Sequence, residues 1–108
     1  MPTTEAARLE LPAPYLKMVR NIMRRHLPQA EVWAYGSRVN GDCYAASDLD
    51  LVVRQPDNLH RRQTSLSDVI EALSESDLPI IVQLVDWADI PAEFYREIAA
   101  NYVVVQPA

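Results

Sequence analysis

Gly36-Ser37-Arg38-Val39-Asn40-Gly41-Asp42-Cys43-Tyr44-Ala45-Ala46-Ser47-Asp48-Leu49-Asp50-Leu51 is the stretch on which both the fold and the chemistry of this chain turn. It sets a tight backbone turn upstream of two carboxylates on one strand face. Residues i and i+2 of a strand point the same way, so Asp48 and Asp50 present their oxygens to a common point about 6 to 7 Å along the strand. Hard oxygen ligands at that spacing suit Mg²⁺ or Mn²⁺. The turn offers backbone N–H groups after Gly36 and the Ser37 hydroxyl, a donor set that fits the outer phosphates of a nucleoside triphosphate, aided by the positive end of a following helix. Arg38 is a candidate for a charge-assisted contact to a phosphate oxygen, and Asn40 a weaker one. The only two glycines of the chain, Gly36 and Gly41, both fall here. Turns elsewhere must be made by Pro, Asn and Asp, so these two positions are expected to need unusual backbone or close approach of a ligand.

Working outward, Glu31 to Tyr35 is aromatic and β-branched and runs straight into Gly36, the arrangement of a strand feeding a turn and a helix N-terminus. Leu49 to Val53 makes a second strand. Before them, Pro12 and Pro14 open a helix with Tyr15, Leu16, Val19, Ile22, Met23 and His26 or Leu27 at helical spacing, closed by Pro28. Its Arg20, Arg24 and Arg25 belong on the solvent side. Thr64 to Ser76 carries Leu66, Val69, Ile70 and Leu73 behind a Ser65-x-x-Asp68 capping box, which predicts another helix. Ile80 to Val85 is a near-continuous apolar run that reads as a buried strand. Ile90-Pro91 starts a last helix with Phe94, Ile98 and Ala99 facing inward, and Tyr102 to Val105 adds a short edge strand. Residues 1–11 carry no pattern and read as a loose arm. The expected fold is α/β (α+β), a small mixed β-sheet covered by helices, in a single domain spanning 1–108.

A chain of 108 residues has room for one core, so a second substrate is expected to arrive on a second protein. The formal charge of −5 disfavours an extended nucleic-acid surface, which draws its affinity from many Lys and Arg contacts; a single nucleotide carried by metal remains compatible. No apolar run approaches the ~18 residues of a membrane span, and the N-terminus lacks a signal-peptide pattern. The lone Cys43 fits a reducing compartment and excludes a Cys-rich zinc site. The expectation is a soluble, cytoplasmic protein. His26 and His60 have no paired ligand spacing and read as surface residues. Trp33, Tyr35, Trp87 and Phe94 read as core packing, Asp42 as a loop residue, and Tyr44 as a lid or turn residue of the spacer.

Gly36-Ser37, the ten-residue spacer from Arg38 to Ser47, and Asp48-Leu49-Asp50 together resemble the signature of the DNA polymerase β-type nucleotidyltransferase superfamily. In particular the chain resembles the minimal nucleotidyltransferases, small prokaryotic proteins often encoded beside an all-helical partner of the HEPN or substrate-binding type. Ser76-Asp77-Leu78-Pro79-Ile80, Val85-Asp86-Trp87 and the helix after Glu93-Phe94 match the family's later strand and closing helix, so the resemblance covers most of the chain. It implies a metal-dependent transfer of a nucleoside monophosphate, AMP from ATP, with Mg²⁺ or Mn²⁺ held by Asp48 and Asp50. In toxin–antitoxin relatives the acceptor is a tyrosine of the partner toxin. Two positions depart from the pattern. Relatives commonly read Gly-Ser-Arg-Ala-Arg-Gly, whereas the second arginine position here is Asn40. The family's third carboxylate falls on Gln83, and an amide supplies neither negative charge to a metal nor a strong general base. Asp86 is the available substitute, yet three positions along a strand reverse the side-chain direction, so only a bulge or early strand end would bring it to the site. Its other reading is a cap or turn former.

Two functions therefore compete on the sequence. One is an enzyme subunit that adenylylates an acceptor on, or held by, a partner protein. The other is a nucleotide-binding antitoxin or interaction module that acts by contact alone, as Gln83 suggests; homo- or hetero-oligomers fit either. A capped turn in a purely structural domain is the third reading.

Overall fold

The structure, a computed structural model, describes residues 9–107. Helix α1 spans Ala13–His26, with a proline among its first residues; Val19 and Met23 are buried on one face, while Arg20, Arg24 and Arg25 are exposed on the other. Arg24, Arg25 and His26 occupy the last turn, where positive charge complements the helix dipole. Strand β1 covers Glu31–Tyr35, the predicted span, and the single-turn helix α2 covers Ser37–Asn40. β2 is Leu49–Arg54, α3 is Leu66–Glu75, β3 is Val82–Asp86, and a short 3-10 turn occupies Trp87–Asp89. α4, Ala92–Ala100, and β4, Val103–Gln106, complete the described part.

The four strands form one sheet in the order β3-β2-β1-β4. β1 runs antiparallel to β2 and β4, while β2 and β3 are parallel, so the sheet is mixed as expected. Strand alternation divides the side chains between two apolar layers. Val32, Ala34, Leu49, Leu51 and Val53 pack against Val19, Met23, Val69 and Leu73 of α1 and α3. Trp33 and Val52 face the other way, onto Trp87 and Ile98, with Tyr35, Phe94 and Tyr102 alongside. Arg54 closes that second layer: its guanidinium lies 4.2 Å above the Trp33 ring and 4.7 Å above Trp87, and is paired with Glu31 at 3.4 Å. Full burial of a Val, Leu or Met side chain contributes about 1.5–3 kcal/mol, which makes β1 and β2 the rigid centre of the molecule.

Four expectations are corrected. The run Ile80 to Val85 does not form a buried strand over that span; β3 begins at Val82, lies at the sheet edge and is buried only at Asp86, because Leu78 and Ile80 pack on the first core ahead of the strand. The Ser65-x-x-Asp68 capping box is not formed, since Ser65 makes no side-chain cap hydrogen bond. Ala99 is exposed, and α4 turns Phe94, Tyr95 and Ile98 inward instead. Part of the arm read as loose is docked: Leu9 and Leu11 pack on the first core, and the Glu10 N–H donates to the Arg38 carbonyl at 2.7 Å. The remainder of that arm, residues 1–8, lies outside the described residues.

Candidate active site

Gly36 has φ +82° and ψ −152°, a backbone region open in practice to glycine alone. A Cβ there would lie 2.5 Å from Asp50 Oδ2, so the turn is pressed directly against the strand carboxylate. The Gly36 carbonyl accepts the N–H groups of Val39 and Asn40, both at 2.9 Å. The N–H groups of Ser37 and Arg38 stand before the first intrahelical acceptor and remain available to a ligand. α2 is a single turn, so the expected helix N-terminus is reduced to these few donors. Gly41 ends it in the left-handed region at φ +87°.

Arg38 does not take the phosphate-facing position expected of it. The residue is 4% exposed, and its guanidinium is spent on backbone carbonyls. Nε and Nη2 donate to Ser47 O at 3.1 and 2.9 Å, Nη2 to Ala45 O at 3.1 Å, and Nη1 to Glu10 O at 2.7 Å. One side chain thus ties the turn, the docked segment around Glu10 and the end of the spacer into a single body. The loop is also braced by Ser47, whose Oγ accepts the Tyr44 N–H at 2.9 Å. Tyr44 itself points outward, 72% exposed. Asn40 is exposed and accepts a hydrogen bond from Asn101 Nδ2, linking the turn to the end of α4.

Asp50 opens β2 after Leu49, opposite Tyr35 on β1 and Gln83 on β3 in the ladder, while Asp48 lies just ahead of the strand. The structure brings Asp48, Asp50 and Gln83 together: Gln83 Nε2 donates to Asp48 Oδ2 at 3.3 Å. Asp86 is elsewhere. Register places it against Val53, and its carboxylate, 4% exposed, accepts the N–H groups of Gln63 at 2.7 Å and Ala88 at 3.1 Å. It caps the 3-10 turn and does not reach Asp48 and Asp50 as a third acid. Tyr35 packs on the second apolar layer, as expected, and is a site neighbour as well. It is half-buried with Phe94 edge-on at 5.7 Å, and burial, then the Asp50 charge, push its phenol up to about 12. It is the antiparallel register, Tyr35 across from Asp50, that puts it there.

Burial, and then the charge of Asp48, raise the Asp50 carboxyl above the ordinary carboxylate value. Two acids crowded on one face, both oxygen donors, fit a hard divalent cation that would relieve their repulsion. Among the described residues no group of three or more His, Cys, Asp or Glu side chains gathers into a metal site.

Residues 16–105 match the family model of the nucleotidyltransferase domain. This chain belongs to that family. It is also 39% identical, over 103 residues covering 95% of its length and 89% of the relative, to the probable protein adenylyltransferase MntA of Haemophilus influenzae. The chain is accordingly a nucleotidyltransferase of the minimal, polymerase β-like type, and the mixed sheet with its covering helices is the fold that membership implies. Nucleotidyltransferases generally act on a nucleoside triphosphate with a divalent metal. No described helix is long and apolar enough to cross a membrane.

Proposed function

We propose that this nucleotidyltransferase moves AMP from ATP onto a hydroxyl of a partner protein, in the cytoplasm, as the antitoxin of a pair whose toxin is an all-helical HEPN-type protein. The observation that carries the reading is the contact between the Gly36 turn and Asp50, which joins a set of phosphate donors to a pair of carboxylates without a gap. The name of the Haemophilus influenzae relative, a probable protein adenylyltransferase, supports a protein as acceptor.

The Ser37 and Arg38 N–H groups and the Ser37 hydroxyl hold the outer phosphates. Asp48 and Asp50 are the residues that would hold Mg²⁺ or Mn²⁺, which when bound would neutralise charge on the phosphates as pyrophosphate leaves. Arg38 contributes by fixing the loop, so that turn and carboxylates keep one geometry. The acceptor hydroxyl attacks the α-phosphorus in line, the bond to the β-phosphate oxygen breaks, and the hydroxyl proton is released. Incubation with α-labelled ATP, Mg²⁺ and the product of the adjacent gene tests this. Label on the partner that disappears in Asp48→Asn and Asp50→Asn is the expected result. Gln83, an amide opposite Asp50, favours a second reading, neutralisation by contact alone. Tight partner binding with no label transferred would establish that reading and remove the first.

A further inference from the structure

Gln83 bears on the order in which the site assembles. Its Cα is the register partner of Asp50, and its amide donates to Asp48 Oδ2 at 3.3 Å, so it touches one carboxylate and stands beside the other. A carboxylate at this position would make three negative charges on one face. The amide instead satisfies a lone pair that a cation would otherwise use, and adds no charge. A small divalent cation seeks about six oxygens and sheds its water reluctantly, so its affinity follows the number and charge of the protein ligands. Asp48 and Asp50 alone are a poor set for a free ion and an adequate one for an ion whose remaining ligands are phosphate oxygens.

We propose that Gln83 makes this a site without a resident cation, in which Asp48 and Asp50 take up the divalent ion only together with the nucleoside triphosphate that carries it. The inference rests on the nucleotide-binding reading above and specifies how that site fills. Gln83 acts through Asp48 and is a positioning residue. An acid at the same place would hold the ion in advance.

The test is a titration of Mn²⁺ into the full chain, following the electron paramagnetic resonance signal of the free ion, with and without α,β-methylene-ATP, each read against the same titration without protein because the analogue itself binds Mn²⁺. Without nucleotide, the wild-type chain should bind Mn²⁺ about ten- to hundredfold more weakly than Gln83→Asp. With the analogue present, that gap should close to a few-fold. Circular dichroism verifies folding of the variant; should Gln83→Asp misfold, Gln83→Glu replaces it. The wild-type comparison with and without analogue stands by itself, requiring the analogue to tighten Mn²⁺ binding at least tenfold. Nucleotide-free binding as tight in wild type as in the acid variant, with the analogue still bound, overturns this inference and leaves the nucleotide-binding reading intact. Failure of wild type to bind Mn²⁺ and analogue together overturns both.

Discussion

Gly36 is the residue on which the site's geometry is most exposed to test. A Cβ at φ +82° is strained wherever it sits, and here it would also meet Asp50 Oδ2 at 2.5 Å. Gly36→Ala is expected to cost about 1–3 kcal/mol of stability from backbone strain and to abolish nucleotide transfer, because the only relief is displacement of Asp50. Thermal melts and label transfer check this, and an active, equally stable variant would sink it. Asp50 itself gives a pH signature. Its folded-state pKa is raised, so the fold holds the proton more tightly than the unfolded chain does. The resulting penalty is absent below the ordinary carboxylate range and sets in as pH rises through that range toward the raised value. Asp50→Asn should therefore melt above wild type at neutral pH without metal, and the difference should shrink on acidification. A difference that stays constant from pH 7 to pH 3 would refute the assignment. The sequence showed Asp48 and Asp50 as a pair because period-2 alternation is visible in residue order. It did not show Tyr35 as their neighbour, since that depends on which residue of β1 lies across from Asp50.

Among the elements, the spacer from Arg38 to Ser47 is held by a side chain whose role residue types cannot reveal. Arginine beside a phosphate turn reads as an anion contact, yet its acceptors here are the carbonyls of Glu10, Ala45 and Ser47, which any residue would supply. Removing the guanidinium leaves several of these without a donor. Arg38→Met is expected to lose about 2–4 kcal/mol, and Arg38→Lys to recover less than half of it, because an ammonium lacks the planar fork. At about 4–8 °C per kcal/mol for a chain of this size, the shift is easily measured. A neutral Arg38→Met would return Arg38 to the role of a phosphate contact. Other elements were legible to the degree that their pattern was local. β1 was bounded correctly by composition, and α1 by its prolines. β3 was misplaced by two residues at its start, because an apolar run does not say whether it packs as strand or as the segment leading into one. The capping box had the right residues in the right spacing, and still the Ser65 side chain makes no cap bond.

Over the whole molecule, the site occupies one end of the central β1–β2 pair, with an apolar layer on each face of the sheet behind it. The opposite end carries a separate cavity of about 230 Å³ lined by His26, Gln29, Gln55, Arg61 and Arg62, on the far side of the same strands. That separation supplies an internal control for ligand binding. The donors for a triphosphate are loop groups between two rigid strands, so a nucleotide has little core to rearrange and should protect locally. With Mg²⁺ and α,β-methylene-ATP at a hundred times its dissociation constant, stabilisation of about 2.7 kcal/mol is expected from mass action alone. Hydrogen exchange should slow from Gly36 to Asp50 and around Gln83, while amides near Gln29, Gln55 and Arg61 keep the rates of the free protein. Asp48→Asn should remove both the thermal shift and the local protection. Protection centred on the basic end instead would mean that Arg61 and Arg62 capture the phosphates and that the acidic end serves another purpose.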